Sequence, residues 1–202
     1  MTRLFILRHG PTAWNAEGRI QGHTDIPLSP EGEEMVRGWA IPAEFSGFSW
    51  VVSPLGRARQ TAALLGARDP EPAGALMEMC WGDWEGQRLA ELRERHGAEM
   101  AANEARGLDF RPPGGESPRD LRARLAPWLA SVAEAGRDRI AVAHKGVIRA
   151  LYTLASGWDM TGKPPEKLLS GRGHLFSLDT DGTPRCERLN IRLAKDALRD
   201  AG

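Results

Sequence analysis

Side chains capable of chemistry collect just after the apolar runs of this chain. Leu4-Phe5-Ile6-Leu7 runs into Arg8-His9-Gly10, Trp50-Val51-Val52 into Ser53-Pro54-Leu55-Gly56-Arg57, Leu76-Met77 into Glu78, and Ile140-Ala141-Val142-Ala143 into His144-Lys145-Gly146. If each run is a strand of one open α/β sheet, these residues meet beyond its carboxyl edge, where such sheets bind ligands. Two imidazoles, two guanidiniums and one carboxylate would share that edge. Arginine's planar fork donates parallel hydrogen bonds to neighbouring oxygens, so Arg8 and Arg57 together imply an oxyanion such as phosphate. Neutral imidazole, with an unperturbed pKa of roughly 6.5, can attack phosphorus and leave it again, which makes His9 a candidate nucleophile. Phosphoryl transfer is catalysed mainly by positioning and by stabilising charge on the equatorial oxygens, which cationic donors around one nucleophile supply. The leaving alkoxide needs a proton. Glu78 can give it if partial burial beside Trp81 or Trp84 raises its pKa.

Taken singly, each residue has an ordinary structural reading. His9 could be a hydrogen-bonded strand-end residue, Arg57 a solvated helix residue, Glu78 a surface carboxylate and His144 a partner for a loop carbonyl. Their coincidence at one edge favours chemistry. A metal held by His9 and His144 is the weaker reading, because the neighbouring segments offer no clustered carboxylates or thiols to complete a coordination sphere.

The elements that must position these groups follow from the same pattern. Continuous rather than alternating apolar runs are expected of strands covered on both faces, which predicts an α/β three-layer sandwich with a mostly parallel sheet. Helices are expected from 29 to about 40, from 56 to 65 and from 116 to 135. Ser29-Pro30 and Ser117-Pro118 are cap-plus-proline openings, the second with Asp120 three residues after its cap. The stretch 82–115, helical at 89–96 and then rich in Gly, Pro and charge, is expected to be an insertion or lid over one end of the sheet. Two strands at 174–178 and 186–193 should flank the turn Asp181-Gly182-Thr183-Pro184, and a surface helix is expected from Ala194.

Composition narrows the partners. A chain of 202 residues can bury a full core as one domain, 1–202, without disulfides or a structural metal. Its 27 Lys+Arg balance 27 Asp+Glu, so no whole-molecule field draws it to nucleic acid or an anionic membrane, and any anion site is local. There is no apolar run of membrane-spanning length, and the N-terminus is charged again too soon for a secretory signal, so a cytoplasmic location is expected. Cys80 and Cys186 receive no function. No cofactor is expected; the expected partner is a small phosphomonoester, and a homodimer is left open.

At this point the residues resemble the histidine phosphatase superfamily, also called the phosphoglycerate-mutase-like family. Leu7-Arg8-His9-Gly10-Pro11-Thr12-Ala13-Trp14-Asn15 is similar to its opening signature, and Gln21 to Ser29 followed by Gly32 to its next block. Ser53 to Ala62, Glu78 with Gly82-Asp83-Trp84-Glu85-Gly86, Gly114-Gly115-Glu116-Ser117, and Ala143 to Arg149 follow in the family's order. The resemblance implies His9 as the phosphorylated nucleophile and Glu78 as proton donor. It also implies Arg8, Arg57 and His144 as the phosphate pocket, with Asn15 and Thr12 adding donors and Gln21 and Gly22 nearer the leaving group. It implies no metal. Pro11 and Lys145 depart from the family's pattern; Lys145 could reach a substrate's distal end, although a solvent-facing position is the preferred reading. The mixed charges between Ala90 and Asp109 lack the basic face expected of a mutase lid, which favours a phosphatase over a mutase, and the presence of each residue the chemistry needs argues against a non-catalytic relative.

Overall fold

The computed structural model describes residues 1–193, so the helix expected from Ala194 lies outside the described residues. Six strands, β1 (Thr2–Arg8), β2 (Ser49–Val52), β3 (Glu71–Pro72), β4 (Arg139–Ala143), β5 (Arg172–Leu178) and β6 (Pro184–Arg192), form one sheet in the order β3-β2-β4-β1-β5-β6. The first four are parallel, and the β5–β6 hairpin joins β1 antiparallel. Around the sheet lie α1 (Ala13–Ala16), α2 (Pro30–Arg37), α3 (Gly56–Leu64), α4 (Leu89–Glu104), α5 (Pro118–Ala135) and α6 (Lys145–Ser156).

Strand β1 shows why its apolar run is unbroken. Leu4 and Ile6 enter one core with Leu121 and Leu125 of α5 and Leu151 of α6, while Phe5 and Leu7 enter another with Phe45 and with Ala58 and Ala62 of α3. Successive strand residues face opposite ways, so a sheet covered on both faces needs apolar side chains at every position. In β4 likewise, Ala141 and Ala143 join the first core, and Ile140 and Val142 the second. Each large side chain so buried contributes roughly 1.5–3 kcal/mol. The expected caps are present: Ser29 accepts from the Gly32 N–H, and Ser117 and Asp120 form a reciprocal capping box.

Three local expectations fail for identifiable reasons. Leu76 is fully buried but belongs to a 3-10 turn (Gly74–Leu76) after the short β3, because burial alone does not separate a tight turn from a strand. Helix α4 continues past His96 to Glu104 through a kink at Gly97, whose φ of 45° a glycine adopts freely. Helix α6 was not anticipated; it opens at His144 without any side-chain cap hydrogen bond. The segment 82–115 carries its own small core of Trp84, Leu92 and Met100. No helix among the described residues is long and apolar enough to cross a membrane.

The ladder continues past the strand ends. The His9 N–H donates to the Ala143 carbonyl and the Ser53 N–H to the Val142 carbonyl, both at 3.0 Å, so the turns after β1 and β2 are held in register on β4. The chain leaves β1 toward α2 and α3 on one face and leaves β4 into α6 on the other, which opens a crevice between the two departures. Helix α2 is pressed onto the turn after His9: the Ser29 N–H donates to the Pro11 carbonyl at 3.0 Å, and a Cβ on Gly32 would lie 2.0 Å from that oxygen. Glycine to alanine inside a helix ordinarily stabilises by up to about 1 kcal/mol. Gly32→Ala is expected instead to lower stability by about 1–3 kcal/mol, because the helix must back away from Pro11. Urea unfolding measures this, and an unchanged or raised midpoint would contradict the close approach.

Candidate active site

His9 sits at the end of β1, its side chain only 5% exposed. Its Nδ1 lies 2.6 Å from the Gly10 carbonyl oxygen; a carbonyl only accepts, so Nδ1 carries the proton and Nε2 keeps a lone pair. Burial, and then the charges of Arg8 and Arg57, hold its pKa well below 6.5, so the ring is neutral at pH 7. His144 is completely buried, its ring centroid 5.1 Å from that of His9 and its Nε2 2.8 Å from Ser53 Oγ. Burial, then His9, Arg57 and Arg8, depress its pKa in the same direction.

Arg57, in the first turn of α3, is also fully buried and donates to the carbonyls of Gly22 at 2.7 Å and Thr24 at 2.9 Å. That loop is gripped from its other side by Glu85, whose carboxylate accepts from the N–H groups of His23, Thr24 and Trp81. Burial opposes ionisation of Glu85, but hydrogen bonds from Thr24, His23 and Trp81 outweigh it and its pKa falls below the usual carboxylate value. Gly22 adopts φ 55°, and a Cβ there would fall 1.9 Å from a Glu85 oxygen, so only glycine fits. Five buried side-chain polar atoms lack a partner among the described residues, and four of them belong here: Arg8 Nε, Arg57 Nε, His144 Nδ1 and Gln21 Oε1. An unpaired buried group costs about 1–3 kcal/mol, and a bound oxyanion would satisfy the two guanidinium N–H donors.

Thr12 departs from its expected role. It is fully buried; its hydroxyl accepts from the Asn15 N–H and donates to Asn15 Oδ1, so it caps α1 rather than facing a ligand. Asn15 Oδ1 also accepts from the Thr12 N–H, which leaves its NH2 group as the free end, and Asn15 lines the cavity. Glu78 lies on the start of α6: its two oxygens accept from the Met79 and Gly146 N–H groups at 2.9 and 3.1 Å. Trp81 shares the cavity wall with Glu78, whereas Trp84 is turned into the small core of the 82–115 segment. Arg124 of α5 was overlooked in the sequence. It donates to the carbonyls of Ala75, Met77 and Glu78 and pairs with Glu116, tying down the turn that carries Glu78.

These groups line a cavity of about 730 Å³ containing Arg8, His9, Gln21, Gly22, Arg57 and Glu78. Lys145 is exposed to solvent, as expected, and also lines the cavity wall, where Arg149, one helical turn further along α6, joins it. Arg149 becomes legible once α6 is recognised, because residues i and i+4 share a helix face. No group of three or more His, Cys, Asp or Glu among the described residues is placed to hold a metal ion.

An α/β sheet that brings two neutral imidazoles, a buried guanidinium and a half-buried one to its carboxyl edge is suited to hold an oxyanion. The sequence model of the histidine phosphatase superfamily (branch 1) matches residues 4–192, and the chain belongs to that family. It is 34% identical over 200 residues to a glucosyl-3-phosphoglycerate phosphatase of Mycolicibacterium vanbaalenii, covering 92% of this chain and 86% of that one. To a 2,3-bisphosphoglycerate-dependent phosphoglycerate mutase of Methylobacterium radiotolerans it is 31% identical over 201 residues, covering 91% and 93%. A mycobacterial glucosyl-3-phosphoglycerate phosphatase solved with VO3 superposes with a TM-score of 0.74 at 30% identity, covering 96% of this chain and all (100%) of that one.

The buried rings have a thermodynamic consequence. His9, His144 and His174 all have lowered pKa values, that of His174 to about 4 through burial. Below about pH 6.5 the unfolded chain takes up protons on these rings while the folded chain does not, so stability falls with pH by up to about 1.4 kcal/mol per unit for each ring. For His174 that loss runs down to about pH 4. Urea midpoints measured from pH 7 to 5.5, above the ordinary carboxylate range, should decline steadily, and a flat profile would mean the rings are charged in the native state.

Proposed function

We propose that the chain hydrolyses small phosphomonoesters through a phosphohistidine on His9, and that the 82–115 segment serves as the lid over that reaction. The observation that carries this reading is the set of unpaired donors on Arg8 and Arg57 beside a neutral His9 whose Nε2 lone pair is free. His9 Nε2 attacks phosphorus as the bond to the leaving oxygen breaks, and Glu78 gives that oxygen a proton. Arg8, Arg57, His144 and the Asn15 NH2 group stabilise charge on the equatorial oxygens. Water then attacks phosphorus, the P–N bond breaks, Glu78 takes the water's proton, and phosphate leaves a neutral His9.

Hydrolysis is favoured over mutase turnover because the lid's cavity-lining cation, Arg93, is paired with Glu104 at 2.7 Å. Retaining a highly anionic intermediate against water requires a denser positive field than a neutralised pair supplies. The phosphoglycerate mutase reading draws support from Lys145 and Arg149, which add charge to the wall. A coupled assay supplied with 2,3-bisphosphoglycerate and 3-phosphoglycerate separates the two, with phosphate release expected to exceed 2-phosphoglycerate formation.

His9→Ala should reduce hydrolysis of p-nitrophenyl phosphate at least about a thousandfold, since removing a nucleophile costs several kcal/mol of barrier. A folded variant above that rate would refute the nucleophilic role. Glu78→Gln should slow alkyl phosphates much more than p-nitrophenyl phosphate, whose leaving group departs without a proton. Equal slowing of both substrates would make Glu78 a positioning residue.

A further inference from the structure

A second cavity, of about 260 Å³, meets the first along Arg8, Lys145 and Arg149, which line both. Its remaining polar wall is Lys167, Ser170, Arg172 and the buried His174. Five cationic side chains therefore face one small space into which no carboxylate is built. None of the five forms an ion pair among the described residues. Crowding is visible in Lys145, whose pKa is lowered by burial and by the charges of Arg149 and Arg8.

The wall is built rather than loose. Asn190, held at φ 59° in β6, accepts from the Leu169 N–H at 2.8 Å and donates to the Lys167 carbonyl at 3.0 Å. Tyr152 of α6 accepts from the Glu166 N–H at 2.9 Å. Glu166, an acid of the same strap, is turned to the Asn190 amide and does not line the cavity. The backbone N–H of Asn190 donates to His174 Nδ1 at 3.2 Å, so the neutral ring carries its proton on Nε2 and adds a neutral donor. The remaining lining includes Ile148, Leu168 and Trp158, over whose ring Arg149 stacks at 5.2 Å. An apolar wall excludes water and strengthens attraction between these cations and any anion that enters.

We propose that this second cavity is an anion subsite that takes a phosphate or carboxylate group, distinct from the pocket of His9 and coupled to it through Arg8. Such a group could be the distal end of the substrate or a separate small anion. The kinetic test rests on the phosphatase reading; the binding test does not.

The variant is Lys167→Ala/Arg172→Ala, which touches neither His9 nor the shared wall. If the substrate's own distal group is held there, the variant lowers kcat/KM for 3-phosphoglycerate at least tenfold, through KM. Turnover of p-nitrophenyl phosphate, which has no second anionic group, stays within twofold of wild type. If a separate anion is held, calorimetry finds two inorganic phosphates bound per wild-type chain and one per variant chain. An unchanged preference between the substrates, whether both keep their rates or both lose equally, together with equal phosphate stoichiometry in both proteins overturns the proposal. Should wild-type protein turn over no phosphomonoester, the phosphatase reading fails, while the phosphate stoichiometry still decides the second cavity.

Discussion

The pairing of β1 with β4 is the constraint on which the rest of the molecule depends. Their parallel register sets Arg8 opposite Ala143, and the hydrogen bond from the His9 N–H to the Ala143 carbonyl carries that register one residue beyond the strand. Two imidazoles that are 135 positions apart are thereby brought within 5.1 Å, ring to ring. Because β2 also pairs with β4, Ser53 arrives beside His144, and α3 then delivers Arg57. Glu78 is oriented in turn by the Gly146 N–H in the first turn of α6. A slip of one residue in this register would turn every core side chain of β1 to the wrong face, so the packing that stabilises the sheet also fixes the site.

Electrostatics at that edge are deliberately unbalanced. Arg57 is fully buried with Asp25 at 3.9 Å as its nearest carboxylate partner, and backbone carbonyls rather than a close ion pair hold its guanidinium. Carbonyl dipoles orient the group without cancelling its charge. Burial, and then the field that remains, keep both rings neutral, and that field favours an anion, whereas a tight carboxylate partner would have quenched it. Glu85 supplies negative charge, but it is engaged by the N–H groups of the loop.

What could be read from the sequence was what burial writes plainly. β1, β2 and β4 announce themselves through unbroken apolar runs because helices cover both of their faces, and α2 and α5 through their serine caps. Glu78 reaches the cavity wall although a 3-10 turn stands where a strand is expected before it, since Leu76 is as buried in that turn as it would be in a sheet. Thr12 misled because a hydroxyl can serve a ligand or a helix end, and only the placement of Asn15 decides between them. Helix α6 escaped notice because its N-cap is His144, whose side chain is committed to Ser53, and glycine stands at its second position. Arg149 and the second cavity went with it. That cavity joins the α6 face to the strap before β5, a juxtaposition that no local pattern encodes.

The contact between Gly146 and Glu78 bears on how this site can evolve. A Cβ at position 146 would stand 2.2 Å from a Glu78 oxygen, so any larger residue there displaces the Glu78 carboxylate, while His144 is sealed beneath. Lys145, between them, projects into the wall shared by the two cavities and bears on neither constraint. Of the three residues in this turn, Lys145 is thus the one whose replacement disturbs neither the Glu78 carboxylate nor the buried ring. A single codon change at 145 can alter the charge of both cavities while the residues around His9 stay where they are.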